Sequence, residues 1–526
     1  MLSDPGESAF NDSAAMKKAF LAGVALALSA CATHQPPSPE PPRPVPNVAA
    51  SDYLLLDRVT WGANVQGARE LAALGREAWL ERQLKPPPGD DLPLDAGEQV
   101  AAMTIVQRSA YDLGRELAAR RASFNVLADD DKRKMEQQAF QQELTRLARE
   151  SMTRSMLRAL YSPWQLREQM TWFWMNHFNV FAGKAEVRAY LGDYEENAIR
   201  ANALGRFRDL LGATAKHPAM LRYLDNAQNA AKRLNENYAR ELMELHTLGV
   251  DGGYTQKDVQ ELARVLTGYG IAEGERLGLR MPMRREVVRD GLYEFDPARH
   301  DYGGKVLLGR PLRAQGPAEL DEALDRLAEH PSTARFVSRK LALFFVSDDP
   351  PPALVERMAS TFRRTNGDIA EVLRALFSSP EFAASLGQKF KDPIHYVVSA
   401  VRLAYGDKVI LNANPVLGWL GRMGEPLYGR QTPDGYPLTR SEWSSAGQMA
   451  TRFEIARAVG YGAAGLFRTE GEKPVERPAF PQLANALYYQ SLQYALGPST
   501  RATLDKASSP QEWNMLLLSS PEFMNR

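Results

Sequence analysis

Ile369-Ala370-Glu371-Val372-Leu373-Arg374-Ala375-Leu376-Phe377 decides the fold class. Its apolar residues Ile369, Val372, Leu373, Leu376 and Phe377 fall at i, i+3, i+4, i+7 and i+8, the spacing that lines one face of an α-helix. Val259, Leu262, Ala263 and Leu266 repeat that spacing earlier in the chain. Helix starts are legible beside such runs. Ser162-Pro163 with Gln165 supplies a capping hydroxyl, a first-turn proline and a reciprocal partner before the aromatic run Trp164 to Phe178, and Thr255 with Asp258 opens another helix in the same way. From Asp52 onward this periodicity dominates, so the expected fold is mainly α, a multi-helical globular body.

Two stretches break the pattern. Between about 284 and 308, Glu286-Val287-Val288 and Leu292-Tyr293-Glu294-Phe295 flank Asp290-Gly291, which reads as a small β-hairpin insertion with a tight turn. From about 412 to 443 glycine, proline and large aromatics mix without a period, the pattern of a long ordered loop. Ala375-Leu376-Phe377-Ser378-Ser379-Pro380-Glu381-Phe382 is echoed by Leu517-Leu518-Ser519-Ser520-Pro521-Glu522-Phe523, each ending one helix and capping the next; this predicts a repeated structural corner.

At 526 residues, 44% hydrophobic and 24% charged, the chain has the composition of a globular protein with room for more than one core. Lys+Arg and Asp+Glu are both 64, so no net field draws it to nucleic acid. Cys31 is the only cysteine, which excludes an internal disulfide, a cysteine-based zinc site and a cysteine nucleophile in the body. Its neighbours explain it. Met16-Lys17-Lys18, the apolar run Ala19 to Leu28 and Leu28-Ser29-Ala30-Cys31 form a signal peptide too short to span a bilayer, for which roughly 20 apolar residues are needed. The last four residues resemble the lipobox of bacterial lipoproteins. That resemblance implies cleavage before Cys31, lipid on its sulfur and amino group, and, with Ala32 in the sorting position, an outer-membrane destination. Residues 1–30 are then a signal peptide, with 1–15 preceding a better start at Met16. Residues 31–50 hold the lipidated cysteine and a proline-rich stalk over 36–46, and 51–526 form the body, as one or two subdomains.

Three blocks in the body carry a second resemblance: Trp172-Phe173-Trp174-Met175-Asn176-His177-Phe178; Asn235 through Gly249 running on to Tyr254-Thr255-Gln256-Lys257-Asp258-Val259; and His300-Asp301 to Leu308-Gly309. With the Ser-Ser-Pro-Glu-Phe corner and the Asp434-Gly435-Tyr436-Pro437 loop, they make the chain resemble the bacterial domain-of-unknown-function family 1800 from Leu54 to the C-terminus. The resemblance implies a large exported protein, acting beside a second exported protein similar to sulfatases and phosphatases, and supplies no mechanism.

Several constellations carry chemistry. Common zinc-protease, di-iron, α/β-hydrolase, penicillin-binding and nucleotide-binding signatures are absent. Asn237, Glu241 and Glu244 fall at i, i+4 and i+7 on one helix face, with Tyr238, Leu242 and Leu245 on another. Such a face binds a hard divalent cation, Ca²⁺ or Mg²⁺, through oxygen, or supplies an acid and a base; equally, Arg240 four residues from Glu236 and Glu244 makes an ion-pair ladder. His246 either completes a metal site with Glu241 or caps the helix C-terminus. His177 shares a stripe with Leu166, Met170 and Phe173 and reads as a core histidine before a catalytic one.

His300-Asp301, followed by Gly303-Gly304, forms a base oriented by a carboxylate or else a tight turn. Trp419, Tyr428, Tyr436 and Trp443 either stack on a sugar ring or pack beneath the late loop. The functional expectation is an envelope-tethered protein acting in assembly, modification or turnover of an extracytoplasmic polymer, as a metal-assisted hydrolase or lyase. The alternative is a noncatalytic scaffold that binds an exported enzyme.

Overall fold

The helix Gln165–His177 has no exposed face: all thirteen of its residues are buried. A helix hidden on every side is the centre of a body, and the others in this computed structural model are laid around it. The structure describes residues 48–272, 287–469, 471–472 and 479–526. The signal peptide, Cys31 and the proline-rich stalk lie outside the described residues, as does the start of the expected hairpin at 284–286. Pro46–Arg526 forms one compact unit.

The central helix hides its polar residues by pairing them. Arg167 donates to the carbonyls of Pro87 and Gly89, both at 2.7 Å, and Glu168 meets Arg200 at 2.8 Å. Trp174 donates its ring N–H to the Ala203 carbonyl at 3.0 Å. The helix begins one residue later than its flanking sequence suggests, because the Ser162 hydroxyl accepts from the amide of Trp164 (3.1 Å) and Gln165 turns back to the carbonyls of Ala159 and Ser162. Around it, Pro331–Phe345 packs against Pro352–Arg364, Ala446–Gly460 against Pro510–Leu518, and Val187–Asp193 against the long helix Asp130–Tyr161. The periodic run that decided the fold class is the helix Ile369–Phe377, with Ile369, Val372, Leu373, Leu376 and Phe377 buried. Thr255 and Asp258 form the expected reciprocal cap.

The β insertion is present and is larger than a hairpin. Strands β2 (Val288–Asp290) and β3 (Tyr293–Phe295) pair across Gly291 and Leu292, and β1 (Tyr269–Ile271) adds an antiparallel third strand on the other side of β3. β4 (Val306–Leu307) and β5 (Arg310–Pro311) form a second, two-stranded sheet across Leu308-Gly309, both with positive φ as a type I′ turn requires. The stretch expected as a loop from 412 to 443 is helical over Asn414–Arg422, where Val416, Trp419 and Leu420 supply a buried face and Pro415 stands in the first turn; the glycines at 418 and 421 mask this period. The irregular backbone begins at Met423. The repeated corner is real: the Ser379 hydroxyl accepts from the Phe382 amide and the Ser520 hydroxyl from the Phe523 amide, each at 3.2 Å.

Candidate functional site

The carboxylate helix runs Asn237–Glu244 and buries Tyr238, Ala239, Leu242 and Met243. Glu241 and Glu244 are half-buried on its opposite side, while Asn237 is exposed and donates to the Leu224 carbonyl at 3.3 Å. Only one rung of the expected ladder is seen: Arg240 meets Glu236 at 3.3 Å and Gln256 at 2.9 Å. Glu244 accepts instead from the Tyr254 hydroxyl at 3.2 Å. Partial burial, then the charge of Glu244 and more weakly that of Asp434, raises the Glu241 carboxyl above its ordinary range against the pull of Arg240.

Past Glu244 the chain tightens, the amide of His246 bonding to the Glu241 carbonyl at 3.1 Å, and this turns the imidazole inward. His246 is 1% exposed, its ring 5.1 Å from that of Phe178 and 6.1 Å from that of His177. Neither ring nitrogen has a hydrogen-bond partner, and burial pulls its pKa down to about 3. A neutral, inward ring is neither a cationic C-cap nor a partner for Glu241. Among the described residues no three histidine, aspartate or glutamate side chains stand together as a metal-holding group, so the set Asn237, Glu241, Glu244 and His246 is not assembled as a unit.

What meets the histidines is Lys340, which the sequence did not mark. The neutral His177 ring donates from Nε2 to the His246 carbonyl at 3.0 Å and accepts at Nδ1 from Lys340 Nζ at 2.9 Å. Burial, Lys340 and His246 together hold His177 well below its ordinary pKa. Lys340, from the helix Pro331–Phe345, is pulled down to about 8 by burial, against the attraction of Asp434. Asp434 thus acts on Lys340, on Glu241 and on the hydroxyl of Tyr223, whose acidity Glu241 also lowers. Lys340 hides in the sequence because Val337, Leu341 and Phe344 make its helix read as ordinary core.

The late loop is clamped over this place. Asn176 bonds the backbone of Tyr436 twice, accepting from its amide at 2.6 Å and donating to its carbonyl at 2.9 Å. Asn179 donates to the carbonyls of Arg430 and Thr432, and Tyr223 to that of Gln431. Gly435, at φ +78°, lies so close that an added Cβ would stand 2.1 Å from the Asn176 carbonyl oxygen. The expected sugar platform is not exposed. Trp419, Tyr428 and Trp443 are buried, Tyr428 bonding Glu195 and Trp443 the Pro437 carbonyl (2.9 Å), and Tyr436 is half-buried with its hydroxyl on the Pro426 carbonyl. These rings hold the loop in place.

His300 and Asp301 part company. Asp301 forks onto Arg264 at 2.9 and 3.1 Å, while the fully buried His300 ring faces Glu319 at 3.4 Å, with Lys305 on the same carboxylate at 2.6 Å. Asp301 does not orient His300, whose Nδ1 instead meets the Thr267 carbonyl at 2.8 Å while Nε2 faces Glu319. The result is a buried anchor for the β4–β5 turn.

The arrangement defines a helical protein whose polar site is assembled from the ends of the two central blocks, the late loop and Lys340. The chain belongs to the family described as "Protein of unknown function (DUF1800)", whose family model matches residues 54–525. No curated protein and no solved structure matches it.

Proposed function

We propose that this chain is a lipid-anchored envelope protein that acts on an extracytoplasmic polymer by acid–base chemistry, hydrolysis or elimination, at the site shared by Lys340 and Glu241. What supports the reading is the loop clamped by Asn176, which carries Asp434: that carboxylate acts on Lys340, lowered to about 8 and hydrogen-bonded to His177 at 2.9 Å, and on Glu241, raised above its ordinary value. Below about pH 8 Lys340 is mainly an ammonium, which supplies the acid, and Glu241 is assigned the base. The carboxylate accepts the proton of the attacking water, or of the carbon in an elimination, and the ammonium gives its proton to the departing oxygen. Glu244, whose charge adds to burial in raising Glu241, also favours a neutralising Ca²⁺ or Mg²⁺ ion on the oxygens of both carboxylates, which is the alternative form of the same site.

The test is release of new ends from envelope polysaccharides and peptidoglycan by the purified lipoprotein, by Lys340→Met and by Glu241→Gln. Each variant is expected to lose on the order of 10²-fold or more of the rate, with the wild-type rate falling as pH rises through about 8. Loss of activity in chelator with recovery in Ca²⁺ or Mg²⁺ selects the cation form. Full activity in both variants ends the acid–base reading and leaves the scaffold for an exported enzyme.

A further inference from the structure

Tyr494 and Tyr489 are the two most exposed aromatic rings among the described residues, at 65% and 56%. They flank one buried serine. Ser491 belongs to the π-helical turn Tyr488–Leu492, and its hydroxyl donates to the carbonyl of Val48 at 2.5 Å, at the point where the described chain begins. The short helix Gln493–Ala495 continues the turn, and the first helix of the body, Ala50–Val59, packs on both. Beneath the exposed rings Tyr488 packs edge-on against Trp513 at 4.7 Å and against Tyr489 at 5.1 Å, which makes the platform stiff. Arg501 and Asp505 stand near enough to act on Tyr488, and the half-exposed Arg76 pairs with Asp52 of the first helix.

We infer that this face docks on the surface of the bilayer that holds Cys31, with the rings of Tyr489 and Tyr494 at the level of the headgroups. The inference rests on the lipoprotein reading. Seventeen residues lead from Cys31 to Val48, and at about 3.1 Å per residue in an extended, proline-rich chain they span no more than about 50 Å. The body therefore hangs from the face gripped by Ser491, which keeps that face at high effective concentration over the membrane. Tyrosine is an amphipathic side chain that settles at a membrane interface, and these two exposed rings lie next to Val48, where the described chain begins.

Cys31 is the only cysteine and is capped by lipid in the mature protein, so a thiol introduced by Tyr489→Cys or Tyr494→Cys is unique. Each full-length lipidated variant would be spin-labelled and reconstituted in phosphatidylethanolamine–phosphatidylglycerol vesicles, beside Val126→Cys at a position 83% exposed. Labels at 489 and 494 are expected to collide with oxygen several-fold more, relative to an aqueous nickel chelate, than the label at 126. Labels as wet as at 126 overturn the docking, as do labels shielded from both colliders, which would show that protein covers the face. The mass of the same sample separates the two failures: a chain without acyl groups refutes the tether and the docking with it, whereas an acylated chain with wet labels refutes the docking alone.

Discussion

Replacing Lys340 by methionine probes the candidate site through folding energetics, without a substrate. Lys340 titrates near 8 in the folded chain against an ordinary value of 10.5, because burial disfavours its charge more than Asp434 favours it. The folded value is the lower one. Between pH 8 and 10.5 the unfolded chain binds more protons, so stability rises with pH across that window, and below pH 8 the full penalty of a buried ammonium is present. At about 1.36 kcal/mol per pH unit the gap is worth about 3 kcal/mol, which solvent at a side chain short of full burial trims to about 1–2 kcal/mol. Methionine removes that penalty but leaves His177 Nδ1 without its donor, a loss of about 1 kcal/mol. Lys340→Met should therefore match or exceed the wild type at pH 7 and fall behind it by about 1 kcal/mol at pH 10.5. Urea unfolding at pH 7, 8.5 and 10 measures the difference. A stability difference that does not change with pH would refute the reasoning, since it would mean that Lys340 titrates alike in both states.

Three more outcomes are expected from named contacts. Glu319→Ala strands the buried Lys305 ammonium and should cost about 3–5 kcal/mol in urea unfolding, whereas Asp301→Ala, at the half-exposed Arg264 pair, should cost about 1 kcal/mol; equal losses would contradict the division of roles between them. Gly435→Ala forces both a positive φ and a contact with the Asn176 carbonyl, so a loss of about 2 kcal/mol or more is expected in thermal unfolding. His246 has a folded pKa near 3, below the ordinary 6.5, so its stabilising effect is present above pH 6.5 and is lost as pH falls toward 3. At pH 5 that amounts to about 2 kcal/mol, and His246→Phe should lose correspondingly less between pH 7 and pH 5 than the wild type.

The fold class was legible because helices announce themselves through spacing that survives any environment. Ile369–Phe377 and the Thr255–Asp258 cap are local facts, settled by residues within one or two turns. The illegible part depends on partners far along the chain. The polar residues of Gln165–His177 imply a surface side, yet Arg167 is satisfied by carbonyls at 87 and 89 and Glu168 by Arg200, so the helix is central. The strand Tyr269–Ile271 is three residues long and has meaning only beside β3. The late loop aromatics look like a binding platform in one dimension, and the acceptors that bury them, Glu195 and the carbonyls of Pro426 and Pro437, come from the folded loop and from a helix more than two hundred residues away.

The site divides along the same line. Its carboxylate half was readable, since Glu241 and Glu244 are three residues apart on one helix. Its basic half was not, since the acceptor that holds Lys340 is an imidazole 163 residues earlier in the chain and the lysine's pKa is lowered by burial that only the folded chain supplies. His177 fixes where the ammonium points. A charged ring at His177 would repel Lys340, whereas the neutral tautomer, fixed by donation to the His246 carbonyl, presents an acceptor and no charge. The ammonium is thus held by a hydrogen bond without a directly bonded carboxylate, which orients it while leaving its pKa low; a carboxylate in the place of His177 would orient it equally well and raise the pKa out of the working range. His177 thus orients Lys340, while burial of the lysine itself, against the attraction of Asp434, lowers its pKa.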